Sequence, residues 1–252
     1  MRSLQGLKMK KHEPIIYITG DTHGDLARFK KCKMLKKGDF LLICGDFGFI
    51  WDGGKKEKAI LKWLGKRKYH VLFVDGIHEN FNELNSYPEQ EWGGGNTRFI
   101  TGNLRYLMRG EVFTLAGKTV LTFGGGGRLD DLIGVNASNN TEDVPALAPD
   151  ASAHPEIPKE TEYRNGLKAL AKHNGRVDYI VSHEAPSKIA EFLELPNSDK
   201  SRANAYLDIL SESCSFERLF FGHHHINRVV TPKYYALFDR VMRADEKIMH
   251  NS

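Results

Sequence analysis

Apolar and polar positions alternate on a coarse scale along the first third of the chain. Three short apolar runs end abruptly in a Gly-Asp or Asp-Gly pair: "PIIYITGDTHGD", "DFLLICGDFG" and "HVLFVDGIHE". Such runs, rich in β-branched and aromatic residues and closed by turn formers, predict buried strands that deliver polar groups at their C-terminal ends. Between them, apolar residues recur at helical spacing and predict helices over roughly Leu26 to Leu35 and Lys56 to Lys66. Strand and helix therefore alternate, which points to βαβ units with parallel pairing. In such sheets ligands gather beyond the carboxyl ends of the strands.

Further along, "EVFTLAGKTVLTFGGGG" predicts a hairpin turning around Ala116-Gly117-Lys118, followed by a run of glycines. That run makes a poor dinucleotide loop, because Arg128 and a polar segment follow it where an apolar helix should begin. From Ile133 to Glu160 the chain is polar and rich in Ala, Asn and Pro, and reads as a long loop or lid. A helix near Thr161 to His173, a strand in "VDYIVSHEAP", a helix in "DKSRANAYLDILSES", an apolar run in "FERLFFGHHHI" and a hairpin in "NRVVTPKYYALFD" complete the pattern.

Composition narrows this picture. With 252 residues, 40% of them apolar, one sizeable core is affordable, so the expectation is a single domain over 1–252 with an insertion at about 133–160. Three widely spaced cysteines, Cys32, Cys44 and Cys214, fit neither a disulfide framework nor a cysteine zinc site. The N-terminus lacks the apolar core of a signal peptide and no apolar run spans a bilayer, so a cytoplasmic protein with no membrane partner is expected. The formal charge of +4 comes with lysine clusters that fall mostly on predicted helices, where a solvated face is favoured over a nucleic-acid surface.

The polar residues at the strand ends carry the chemistry: Asp21 and His23, Asp46, His78, His183, and His223, His224 and His225. Taken singly, an Asp after a strand is a cap or turn former and a lone His is a structural residue. Taken together, D-x-H, G-D, G-x-H-E, S-H and G-H-x-H follow apolar runs in that order. They supply the Asp and His oxygens and nitrogens that bind borderline divalent metals.

This ordered set resembles the calcineurin-like metallophosphoesterase family, over Gly20 to His225. The resemblance implies an α/β fold, an αββα sandwich of two mixed sheets flanked by helices, with a dinuclear metal centre at the strand ends that hydrolyses phosphoesters. It implies that Asp21, His23 and His225 hold one metal, that His183 and His223 hold the other, and that Asp46 bridges them. His78 would protonate the leaving oxygen, and His224 would be structural or lie outside the metal shell. Manganese is the first choice of metal, with Fe, Zn and Ni also suited to the donor set.

One position departs from the family pattern G-N-H-[DE]. Ile77 stands where the asparagine completes the second metal site, and isoleucine has no lone pair to offer. Three readings follow: an engineered inactive form of an enzyme, a natural member of low activity, or a binding protein descended from phosphoesterases. The intact remainder of the set favours an enzyme with an impaired second site. The segment "GDFGFIWDGG" also lacks the Asp and Arg of the protein serine/threonine phosphatase branch, and the chain looks most like small bacterial and prophage metallophosphoesterases of unassigned substrate. Arg98, Arg105 and Arg128 are candidate phosphate contacts. The expected partner is a phosphoester, with a nucleotide among the candidates. A nuclease or nucleotide phosphodiesterase and a non-catalytic nucleotide- or protein-binding module are the alternatives.

Overall fold

In a computed structural model of the protein, residues 12–127, 154–194 and 201–247 are described. The three apolar runs form β1 (Ile16–Thr19), β2 (Phe40–Cys44) and β3 (His70–Val74), which pair in parallel. The helix α1 (Lys55–Gly65) crosses between β2 and β3 within a residue of its predicted bounds and buries Leu61 and Leu64. The other predicted helix is a 3-10 helix, Leu26–Cys32. Phe29 and Cys32, three apart, are its buried residues, a spacing that places both on one face.

A short helix, α2 (Phe81–Ser86), leads into a three-stranded meander that the sequence pattern did not announce: β4 (Glu89–Trp92), β5 (Gly95–Thr101) and β6 (Leu104–Leu107). Strand β6 pairs in parallel with β3, so the first sheet has seven strands in the order β13-β1-β2-β3-β6-β5-β4, where β13 is Met242–Arg243.

The second sheet starts with the predicted hairpin, β7 (Glu111–Leu115) and β8 (Lys118–Phe123). Ala116 and Gly117 form its two-residue turn, both with positive φ (49° and 75°), as a type I′ turn requires. It is completed by β9 (Tyr179–Ser182), β10 (Arg218–Phe221) and the hairpin β11 (Arg228–Thr231) and β12 (Tyr234–Ala236), in the order β11-β12-β10-β9-β8-β7. Three helices join these strands: α3 (Glu160–Lys172), α4 (Ser187–Phe192) and α5 (Arg202–Glu212).

Three apolar layers define the architecture. Ile18, Leu42, Leu72 and Val74 of the first sheet meet Phe113, Val120, Val181 and Phe220 of the second in a central core. The outer face of the first sheet packs on Leu61 and Leu64 of α1 and on the 3-10 helix. That of the second packs on Leu170 of α3 and on Leu207 and Leu210 of α5. The result is the expected αββα sandwich of two mixed sheets, and it sets the carboxyl ends of β1, β2, β3, β9 and β10 along one rim.

Candidate active site

Backbone bonds draw those strand ends into one cluster. The amides of Thr22 and His23 donate to the Asp46 carbonyl at 3.1 and 2.9 Å, tying the end of β1 to that of β2. The amide of Gly222 donates to the His183 carbonyl at 3.0 Å, tying β10 to β9. Close approach needs glycine at two points. A Cβ on Gly76 would lie 2.0 Å from Asp46 Oδ1, and one on Gly222 would lie 2.1 Å from Asp21 Oδ1. Four donors sit on backbone that L-residues rarely adopt: His23 (φ 45°), Asp46 (44°), His223 (61°) and His225 (52°). Each such conformation costs on the order of 1–3 kcal/mol and persists where the surroundings impose it, a pattern concentrated at functional sites.

Six side chains converge in two pairs around Asp46. His23 Nε2 and His225 Nε2 face each other at 2.8 Å, and His225 Nε2 lies 3.2 Å from Asp21 Oδ2. On the other side, His183 Nε2 and His223 Nδ1 are 3.3 Å apart. Asp46 stands between the pairs, with Oδ2 3.8 Å from His23 Nε2 and Oδ1 3.7 Å from His183 Nε2. Ligand atoms about 2.0–2.2 Å from a common cation are themselves about 3–3.5 Å apart, so this donor set fits a divalent metal. Asp21, His23 and His225 form one group able to hold an ion, and His23, Asp46 and His78 form another.

Neighbouring groups orient the donors. His183 Nδ1 lies 3.0 Å from the Cys44 carbonyl, which can only accept. Nδ1 therefore carries the proton and the Nε2 lone pair points into the cluster. Asp46 is held by the amides of Ile77 and His78, both 2.8 Å from Oδ1, while His78 Nδ1 lies 2.7 Å from Oδ2. The His78 side chain is otherwise open, 65% exposed.

The charges match a site built around a cation. Burial pushes the Asp46 carboxyl up, but His183 and hydrogen bonds from His78 outweigh it and bring the pKa down to about 2. Asp21 goes the other way, raised chiefly by its burial. Burial would depress His183, yet Asp21, Asp46 and Glu184 carry it up to about 9. His223 is lowered to about 3 by burial and by the charge of His183. Without a metal, the buried carboxylates thus favour a second proton on His183 Nε2, the position from which a cation would displace it.

The remaining predicted residues fall elsewhere. Ile77 meets the cluster through its amide, bonded to Asp46 Oδ1, and the residue also lines a neighbouring cleft. Arg98 donates to the carbonyls of Asn85 and Tyr87 at 2.9 and 2.8 Å and to Glu89 at 2.7 Å. Arg105 lies over the rings of Trp92 and Phe99. Among the described residues, neither arginine bonds a member of the cluster. Arg128 lies outside the described residues, as does 133–153 of the predicted lid. His224 is packed edge-on to Phe221 and His223.

Three buried groups support the site; Glu79 closes the G-x-H-E motif, whereas Glu184 and Arg109 had no motif to betray them. Glu79 accepts from the amides of Phe47 and Gly48 at 2.6 and 3.3 Å, bracing the loop after β2. Burial lifts its pKa to about 8. Glu184 has Oε1 3.8 Å from His223 Nε2 and accepts from Asn204 at 3.3 Å. Arg109, only 5% exposed, donates to Asp75, to Glu162 at 3.1 Å and to the carbonyls of Pro155 and Glu156 at 2.9 and 3.2 Å. It thereby ties the residue preceding Gly76-Ile77-His78 to the start of α3 and to 155–156.

Among the described residues, no helix is long and apolar enough to cross a membrane. No curated protein matches the chain. The family model described as calcineurin-like phosphoesterase matches residues 15–227, which takes in every strand end of the cluster. That match, over a two-sheet sandwich with His and Asp donors converging at its rim, establishes that the chain belongs to the calcineurin-like phosphoesterase family, whose members carry out metal-dependent phosphoester hydrolysis.

Proposed function

We propose that the protein is a phosphoesterase with a dinuclear centre in which Asp21, His23 and His225 hold one divalent ion, His183 and His223 hold the second, and Asp46 lies between them. The observation that carries this reading is the placement of two imidazole pairs, 2.8 and 3.3 Å apart, on opposite oxygens of one carboxylate. Two cations bound there supply a nucleophile near neutral pH and positive charge for the phosphoryl oxygens. Manganese is the proposed metal, with Fe, Zn and Ni compatible with the same donors.

The chain's own groups do the rest. His78 is fixed through Nδ1 to Asp46 at 2.7 Å, which directs Nε2 outward. A proton on Nε2 is then positioned for the leaving oxygen. Asp46, held by two backbone amides, cannot rotate without breaking both bonds, and its orientation serves both metal positions. The second position is the weaker one in this account. It has only His183, His223 and the shared Asp46, because Ile77 offers no donor in place of an amide. We further read the chain as one domain acting in the cytoplasm on a phosphoester, with a nucleotide favoured over nucleic acid.

The test is turnover of 4-nitrophenyl phosphate and bis(4-nitrophenyl) phosphate before and after chelation. The expected result is hydrolysis that chelation abolishes and Mn restores. Hydrolysis untouched by chelation, or none of either ester with metal supplied, would overturn the reading.

A further inference from the structure

Beside the cluster lies a cleft of about 390 Å³, within the size range of small-molecule sites. Its apolar lining comes from Trp51, Ile77, Phe81 and Pro155, and its polar lining from Glu79, Asn80, Asn82 and Glu156. We propose that this cleft is the leaving-group subsite for a flat, uncharged aromatic group, the nucleoside or aryl part of a phosphoester, with Trp51 as its stacking platform. The proposal rests on the phosphoesterase reading above.

Position is the first argument. Ile77 belongs to both places: its amide is bonded to Asp46 Oδ1 at 2.8 Å, and the residue lines the cleft. The next residue is His78, the group set to protonate the leaving oxygen. His78 itself is not in the lining, but the residues on either side of it, Ile77 and Glu79, both are, so the cleft adjoins the place where that oxygen would depart. On this view the isoleucine that weakens the second metal position also gives the subsite its inner apolar wall.

Trp51 supplies the second argument. Its side chain is 59% exposed, although its backbone is fixed on both sides. The amide donates to Glu57 at 2.8 Å, and the carbonyl accepts from the Asn80 side chain. An exposed indole on an anchored turn costs little to order on binding, and an aromatic ligand face covers it by stacking.

Charge selects among aromatic ligands. Among the described residues, the lining contains no lysine or arginine, and its ionisable members, Glu79 and Glu156, are both acids. None of these lining residues carries a positive charge to neutralise a second phosphate, and Glu156, whose partner is His154 at 3.0 Å, adds a carboxylate at the rim. A nucleoside monophosphate or aryl phosphate fits, whereas a nucleoside polyphosphate or a strand of nucleic acid, with charge beyond the reacting phosphate, does not.

The experiment compares wild type, Trp51→Ala and Trp51→Phe, supplied with Mn, on 4-nitrophenyl phosphate, adenosine monophosphate and glycerol 2-phosphate. Trp51→Ala should raise KM at least about 5-fold for the two aromatic esters and change it less than about 2-fold for the glycerol ester. Trp51→Phe should recover most of the loss. Wild type should also turn over adenosine diphosphate and triphosphate more slowly than the monophosphate. An equal effect of Trp51→Ala on all three esters, no effect, or faster turnover of the polyphosphates would overturn the proposal. If no ester is hydrolysed, the catalytic reading fails on its own, and calorimetric titration of adenosine monophosphate then decides about the cleft. Tighter binding by wild type than by Trp51→Ala sustains it; equal affinity, or no binding to wild type, overturns it.

Discussion

The two halves of the histidine cluster use the same device under opposite conditions. In the first, His23 and His225 meet at 2.8 Å with side chains 34% and 48% exposed, and Asp21 adds a carboxylate 3.2 Å from His225. In the second, His183 and His223 meet at 3.3 Å with side chains 0% and 29% exposed; His183 Nε2 lies 3.7 Å from Asp46 Oδ1, and His223 Nε2 lies 3.8 Å from Glu184 Oε1. The open half has its own donors; the enclosed half relies on its surroundings. Those surroundings are crowded: a Cβ on Gly126 would fall 2.8 Å from Ile77 Cγ2 and 2.6 Å from Glu184 Oε1, so an apolar branch and a buried carboxylate converge near one point. Affinity at the enclosed half is therefore the property most sensitive to a single neighbouring side chain.

Removing the one residue common to both halves gives the largest effect. Asp46→Asn should lower kcat/KM by more than about 100-fold and empty both metal positions, whereas His225→Ala should leave the enclosed position able to bind. Metal analysis of the two variants separates these outcomes. Equal metal loss in both would break the division into halves.

A smaller effect should appear in stability without metal. His183 in the folded protein titrates near 9, above its ordinary 6.5, because burial is outweighed by Asp21, Asp46 and Glu184. A raised pKa means that the protonated ring's contribution is fully present below about 6.5 and is lost as pH rises through about 9. Metal-stripped protein should therefore lose a few degrees of Tm between those pH values. Metal-loaded protein, in which the cation replaces the proton, should lose less. Parallel Tm profiles would contradict the assignment of His183 to a metal position.

Legibility of the sequence followed the same division between direct and relayed signals. The three strands ending in Gly-Asp or Asp-Gly and the hairpin around Ala116-Gly117-Lys118 could be read off, and helices α1 and α3 to within a residue, because each is specified by its own neighbours. The family match over 15–227 bears out the resemblance carried by the ordered Asp and His motifs. The meander β4-β5-β6 was missed because β4 is an edge strand whose residues "EQEW" are exposed or half-buried and show no alternation. Gly93-Gly94, with φ of 62° and 95°, was the available hairpin signal. The 3-10 helix escaped because spacings of three and of three-to-four overlap over seven residues. Arg109 was invisible for another reason: its partners Asp75, Pro155, Glu156 and Glu162 lie 34 to 53 positions away, and only tertiary structure brings them together.

The central claim is that the enclosed half of a dinuclear centre is impaired by the side chain at position 77. Paired determination of metal stoichiometry and of monoester and diester turnover, for the protein and for Ile77→Asn, tests it most directly. The account predicts that asparagine brings the second metal to full occupancy and raises hydrolysis of at least one ester by about 10-fold or more. Two metals already bound at full occupancy with isoleucine in place, and no faster turnover with asparagine, would contradict it.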